Sequence, residues 1–199
     1  MTVTVFDNGS DNEIYLPDDL IGSQDANIIF YGSGNKVYIG ENCLLMGAVI
    51  KLFSNCTFHA GASCRLAKME VFAVNEGHVE IGSRSGFTWE TEIQLHEPGR
   101  ITIGSECLFG SGTSLTNSDM HSIIDIETER RINPAEDIAV ADRVWIAAGV
   151  KILKGSVVGN DSIIGLGSIV TGTIPANSVA VGSPARVVRG GVRWLHGLI

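Results

Sequence analysis

The chain has 199 residues, 44% of them hydrophobic and 18% charged, with a formal net charge of −8 at pH 7. That is one domain's length, too apolar for a disordered chain and too acidic to hold nucleic acid through a basic surface. Its 22 Ile, 18 Val and 24 Gly, with only 7% aromatics, favour β-structure with many tight corners, and no third-residue glycine repeat makes it a collagen.

At the N-terminus, Met1 to Val5 carries no basic region before an apolar stretch, so no secretory leader and a cytoplasmic location are expected. The longest apolar run, Leu44 to Ile50, is seven residues with Gly47 inside it. A membrane helix needs about 20, so no membrane insertion is expected. Cys43, Cys56, Cys64 and Cys107 form no C-x-x-C pair and are expected to be buried thiols. Residues 1–26 are weakly patterned and read as an N-terminal cap.

Residues 27–116 carry one template three times: Val37-Tyr-Ile39-Gly-Glu-Asn-Cys43, Val79-Glu-Ile81-Gly-Ser-Arg-Ser85 and Ile101-Thr-Ile103-Gly-Ser-Glu-Cys107. The first two lie 42 residues apart, which is seven sixes; the next step is 22, so a small insertion is expected near Glu97-Pro98-Gly99. Residues 117–137 then break the pattern with six acidic residues, two arginines and His121. A long charged excursion from a regular scaffold is usually functional or disordered. Its Ile123, Ile124, Ile126 and Ile132 predict a packed one. From residue 138 the order is strict: Val140, Ile146, Ile152, Val158, Ile164 and Val170 recur every six. Four places on in each unit stand Val144, Val150, Ser156, Ser162, Ser168 and Ile174. No helix and no alternating strand has this period; a short strand, a corner and the next short strand do. Such units stack as parallel coils, each burying its neighbour's face. The repeat ends at Pro175, and residues 176–199 are too short for a second domain.

These hexads, with Val144-Trp145-Ile146 and Gly182-Ser-Pro-Ala-Arg186 in order, resemble the hexapeptide-repeat acetyltransferases. Asn117-Ser-Asp119-Met-His121 and Arg131-Ile-Asn133 look most like the bacterial capsule and surface-polysaccharide O-acetyltransferases among them. The resemblance implies an all-β, single-domain, left-handed parallel β-helix with a protruding loop at 117–137 and a short C-terminal tail. It further implies acetyl-CoA as co-substrate, no metal, a glycan or sugar acceptor, and a homotrimer with active sites at subunit interfaces. By it His121 is the catalytic base, Trp145 shapes the acetyl and acceptor site, and Asn117 and Arg131 join Trp145 in binding the acceptor. Ala148, Leu166, Thr171, Arg186 and Arg189 fall on positions that line coenzyme A. Gly172 stands where relatives often place a lysine, and Lys151 or Lys154 is the candidate replacement.

The residues support the same chemistry. A hydroxyl attacking a thioester must lose its proton, and a neutral imidazole accepts one at physiological pH. Asp119, two residues before His121, is a candidate to orient the ring; capping a turn is its plainer role. There is no G-x-S-x-G elbow, no G-x-G-x-x-G and no Walker lysine motif, so direct transfer is preferred to an acyl-enzyme. A nucleotide-sugar or small-sugar acetyltransferase is the rival enzyme. From another class comes a catalytically silent β-helix, or a zinc protein that would use His59, His78 and His96, spaced 19 and 18 apart.

Overall fold

A computed structural model describes residues 3–18, 20 and 25–198. The strands form three sheets that the chain visits in rotation. The first holds Val3–Asp7, Ala26–Phe30, Val49–Leu52, Met69–Ala73, Thr91–Leu95, Ser114–Thr116, Lys151–Leu153 and Ile169–Val170. The second holds Glu13–Tyr15, Lys36–Ile39, Thr57–Ala60, Gly77–Ile81, Gly99–Ile103, Ile138–Val140, Val157–Val158 and Thr173–Ile174. The third holds Arg65–Leu66, Gly86–Phe87, Leu108–Phe109, Trp145–Ile146, Ile163–Ile164, Ser178–Gly182 and Ala185–Gly190. Every strand pairing is parallel except the last, where Ala185–Gly190 turns back against Ser178–Gly182. The result is a three-sided β-solenoid of about 7 turns with a continuous apolar interior. No helix among the described residues is long and apolar enough to cross a membrane.

The hexad aliphatics point inward as the period demands. Val140, Ile146, Ile152, Val158, Ile164 and Val170 are all buried, each on the next sheet round. In this half one coil is 18 residues, as in Trp145↔Ile163 and Lys151↔Ile169. The small residues between them serve the corners. The hydroxyls of buried Ser156, Ser162 and Ser168 donate to the carbonyls of Val170, Pro175 and Gly165 at 3.1, 2.9 and 2.6 Å. This leaves none of these hydroxyls stranded in a narrow core.

The N-terminal half differs from the sequence reading. Val37 pairs with Phe58 and Phe58 with Val79, so the 42-residue step is two coils of 21 rather than seven hexads. The first- and second-sheet strands here run to four or five residues, such as Met69–Ala73, against two in Ile169–Val170, and each coil lengthens accordingly, while third-sheet strands such as Arg65–Leu66 stay at two. The 22-residue step is a third long coil, Val79↔Ile101. The template glycines Gly82 and Gly104 are required by proximity. A Cβ on Gly82 would stand 2.5 Å from the Gly104 carbonyl carbon, and one on Gly104 would stand 2.6 Å from that of Ala141. The segment 1–26, expected as an N-terminal cap, contributes strands to the solenoid. Val3–Asp7 and Glu13–Tyr15 extend the first and second sheets, while residues 1, 2, 19 and 21–24 of that segment lie outside the described residues.

The corner between the second and third sheets takes left-handed backbone without glycine. Ser63, Arg84, Glu106, Arg143 and Asp161 stand there, with φ between 53° and 60°. Each such residue costs about 1 kcal/mol or more. Inter-coil bonds offset that cost: the Arg84 N–H donates to Ala62 O at 2.9 Å, Glu106 to Ser83 O at 2.9 Å and Arg143 to Ser105 O at 2.8 Å. Inside, the fully buried rings of Phe87 and Phe109 stack at 4.7 Å. Truncating one to alanine would open a cavity costing about 3–5 kcal/mol. All four cysteines are buried, and burial pushes the Cys107 thiol up to about 11.

Candidate active site

The loop 117–137 leaves the solenoid at the corner between the first and second sheets, after Ser114–Thr116 and before Ile138–Val140. Its base is set by Asn117. That side chain is fully buried, accepting from the His96 N–H at 3.1 Å and donating to the Glu97 carbonyl at 2.9 Å. It is the last rung of a stair in which Ser33, Ser54 and Asn75 accept, in turn, from the N–H groups of Ser10, Ser33 and Ser54. Asn117, expected to bind the acceptor, is a buried amide committed to backbone and anchors the loop.

Above that base the loop is clamped by ionic groups. The Arg131 guanidinium grips Glu97 with two bonds, at 2.5 and 2.6 Å, and donates to the Asn133 carbonyl at 2.9 Å. Ser118 adds a bond to Glu97 at 2.5 Å. Arg131, then Ser118, holds the Glu97 carboxyl down at about 2. Asp119 accepts from Lys154 at 2.5 Å and from Asn133 at 2.9 Å, and Lys154, followed by Asn133, holds its carboxyl below the usual range. Asn133 reaches across to the His121 carbonyl at 2.8 Å and to the Ile123 N–H at 2.7 Å. So Arg131 is a clamp in this chain, and Asp119 orients the backbone that carries His121. No bond from Asp119 reaches the ring itself.

His121 is exposed, its backbone N–H bonded to Asp119 O at 2.7 Å, and its imidazole has no hydrogen-bond partner among the described residues. The tip beyond it is a short hairpin bridged at Ile124↔Arg131. The isoleucines predicted to pack the loop do not do so within this chain: Ile123, Ile124, Ile126 and Ile132 are exposed, Ile126 by 93%. One solenoid offers them no surface to bury against.

Trp145 stands on the outer face of the third sheet, 39% exposed, between buried Val144 and Ile146. In a three-sided prism that sheet lies across from the corner that carries His121, so one chain does not bring the two together. The coenzyme positions divide in the same way. Ala148 and Leu166 stack one coil apart on the corner between the third and first sheets, where Leu166 is 79% exposed and the Gly167 N–H donates to Ala148 O at 2.9 Å. Gly149 and Gly167 leave that backbone open; a Cβ on Gly167 would meet nothing within 4 Å. Thr171 lies instead on the loop corner, two coils above the loop. Arg186 and Arg189 are exposed on the edge strand Ala185–Gly190. Lys154 donates to Asp119 and Pro134 O, whereas Lys151 is exposed.

The histidine stack does not form. His59 pairs with Glu80 and Tyr38, His78 with Thr57 and Arg100, and His96 packs its ring on Phe72 of the first sheet at 5.2 Å.

The Glu97–Arg131 clamp predicts a pH signature. A carboxyl held at about 2 when folded, against an ordinary 4.5, stabilises the fold in full above that range and loses its contribution as pH falls from 4.5 toward 2. Glu97→Gln should lower the melting temperature at pH 7 by about 2–4 °C, the size of a 1 kcal/mol effect in a chain this long. Calorimetry should show that gap closing toward pH 2; a constant gap would assign the effect to shape rather than charge.

No protein-family model matches the chain. It is 32% identical over 191 residues, 96% of its length, to a polysialic acid O-acetyltransferase of Escherichia coli O1:K1 / APEC. It spans 58% and 62% of the length of the two curated polysialic acid O-acetyltransferases it matches. The crystal structure of the polySia-specific acetyltransferase NeuO superposes with a TM-score of 0.92 at 31% identity, covering 98% of this chain and 89% of that one. A hexapeptide-repeat acetyltransferase of Vibrio cholerae, complexed with acetyl coenzyme A, shares the fold at 19% identity with a TM-score of 0.51.

Proposed function

Because the chain belongs to the hexapeptide-repeat acetyltransferases, whose left-handed β-helix it shares, we propose that it is an O-acetyltransferase that moves the acetyl group of acetyl-CoA to a sugar hydroxyl of a bacterial surface polysaccharide or related glycan. One observation carries this reading: an exposed imidazole on a loop held by Asn117, Glu97, Arg131, Asn133 and Lys154, on a scaffold whose corner between the third and first sheets is open glycine backbone. Acetyl-CoA supplies the activated acyl group. The open corner at Ala148, Gly149, Leu166 and Gly167 fits a narrow pantetheine arm, and the Arg186 and Arg189 guanidiniums suit its phosphates.

His121 then takes the hydroxyl proton as the oxygen attacks the thioester carbonyl, and returns it to the departing thiol. The clamp fixes the backbone that carries the imidazole before substrate arrives, which removes part of an ordering cost from the transition state. The third-sheet placement of Trp145 supports a site shared between two chains, His121 from one and Trp145 from its neighbour. A closed ring of copies, a homotrimer, satisfies this at every interface, and the exposed isoleucines of the loop tip are the apolar surface such an interface would cover.

The test is thiol release from acetyl-CoA with an acceptor panel of oligosialic acid, galactosides, hexosamines and a nucleotide sugar. Release should depend on an oligosaccharide or glycoside, with the acetyl group recovered as an ester that mild alkali removes. Release with no acceptor dependence, or an alkali-stable amide product, would overturn the proposal.

A further inference from the structure

The C-terminal tail builds a pocket. Its backbone ties to the solenoid where Val192 and Asn177 exchange bonds at 3.0 and 3.1 Å. The Trp194 indole N–H then donates to the Arg143 carbonyl at 2.7 Å. Asn177, Asp161, Arg143, Glu106 and Arg84 are successive rungs of the corner between the second and third sheets, so the tail runs down that corner across the coils. Between tail and corner lies a pocket of about 400 Å³ lined by Arg84, Glu106, Arg143, Trp194, Leu195 and His196.

Its position matters because of Trp145. The Trp145 and Trp194 rings stand 6.1 Å apart, and Arg143 is two residues before Trp145. Ala148, on the proposed coenzyme corner, is three residues after it, just past the end of the strand Trp145–Ile146. Trp145 therefore stands between the coenzyme corner on one side and the pocket on the other. A group entering from the pocket side meets Trp145 from the side away from the coenzyme corner.

The walls suit a sugar ring. Arg143 gives its Nε and one terminal nitrogen to Asp161 at 2.8 and 2.9 Å, which leaves its other terminal nitrogen free to donate. Arg84 makes a single bond to Glu106 and keeps the rest of its donors, with its side chain 62% exposed. Guanidiniums held flat by carboxylates offer fixed N–H donors without an unbalanced charge. Trp194 and Leu195 supply the apolar wall that a pyranose's C–H face covers.

We infer that this tail pocket is the acceptor subsite, holding one sugar unit of the glycan through Arg84, Arg143 and Trp194 so that its neighbouring hydroxyl reaches Trp145. This makes the C-terminal tail a specificity-determining part of the site, and it rests on the proposed function for the reaction served.

The full chain, as assembled, is tested with Arg84→Gln, Trp194→Ala and Trp194→Phe, using oligosialic acid and a neutral galactoside as probes. Arg84→Gln and Trp194→Ala lie on opposite walls, one on a coil and one on the tail. Each should raise the acceptor KM by about tenfold or more while the acetyl-CoA KM moves less than about twofold, and Trp194→Phe should recover most of the loss. Sedimentation should show an unchanged assembly. Unchanged acceptor KM values in both wall variants would overturn the inference and leave the acetyltransferase intact. If no glycan is acetylated, ligand-observed NMR on His121→Ala reads binding alone. Sugar binding that both wall substitutions abolish would then support the pocket despite failure of the reaction, and binding that persists in them would overturn it.

Discussion

His121→Ala should lose acetyl transfer by about 10²–10⁴-fold, the usual worth of a positioned general base, with acetyl-CoA binding and assembly unchanged. The structure separates these effects. The imidazole is exposed and bonds to nothing among the described residues, while Asn117, Glu97, Arg131, Asn133 and Lys154 hold the loop without it. Removing the ring therefore removes chemistry and leaves the fold. Turnover within tenfold of the parent would show that another group takes the proton. Asp119→Asn makes a useful contrast. It weakens the Lys154 and Asn133 bonds that fix the loop, so it should lower turnover by a smaller factor and leave some base catalysis in place.

The second expectation is complementation between two dead proteins. His121→Ala and Trp145→Ala should each be nearly inactive alone, yet a co-expressed mixture should regain about a quarter of parental activity, because in a closed ring that fraction of interfaces joins an intact His121 to an intact Trp145. The reason is geometric. The loop corner lies between the first and second sheets and Trp145 on the third, so no rotamer brings them together across an apolar prism filled by Ile146, Phe109 and Leu115. A mixture no more active than its parents would place the whole site in one chain.

Much of the scaffold was legible in the amino-acid order. Val140 to Val170 named the inward positions residue by residue, and the Ser156, Ser162 and Ser168 series named the corners. The looser N-terminal half misled on coil length. The added residues lie in the first- and second-sheet strands, while third-sheet strands such as Gly86–Phe87 stay at two, so 42 residues divide into two coils of 21 as readily as into seven hexads. His121 was legible only through the motif it sits in, since a histidine in a charged loop has no local mark of its role. Glu97 and Lys154 were visible in the sequence but not as the partners of Arg131 and Asp119, Trp194 carried no signal, and nothing in the motif showed that Asn117 bonds the backbone beneath it.

The sequence by itself determined the solenoid, because inward and outward alternation is a local property that six consecutive residues express. It also marked 117–137 as the place where that property stops. Only the tertiary structure decided what holds the site. Glu97 meets Arg131 across 34 residues, Asp119 meets Lys154 across 35, and Trp194 meets the Arg143 carbonyl across 51. Stacked coils place residues of distant sequence at the spacing of adjacent strands, and no periodicity records which of those neighbours will bond.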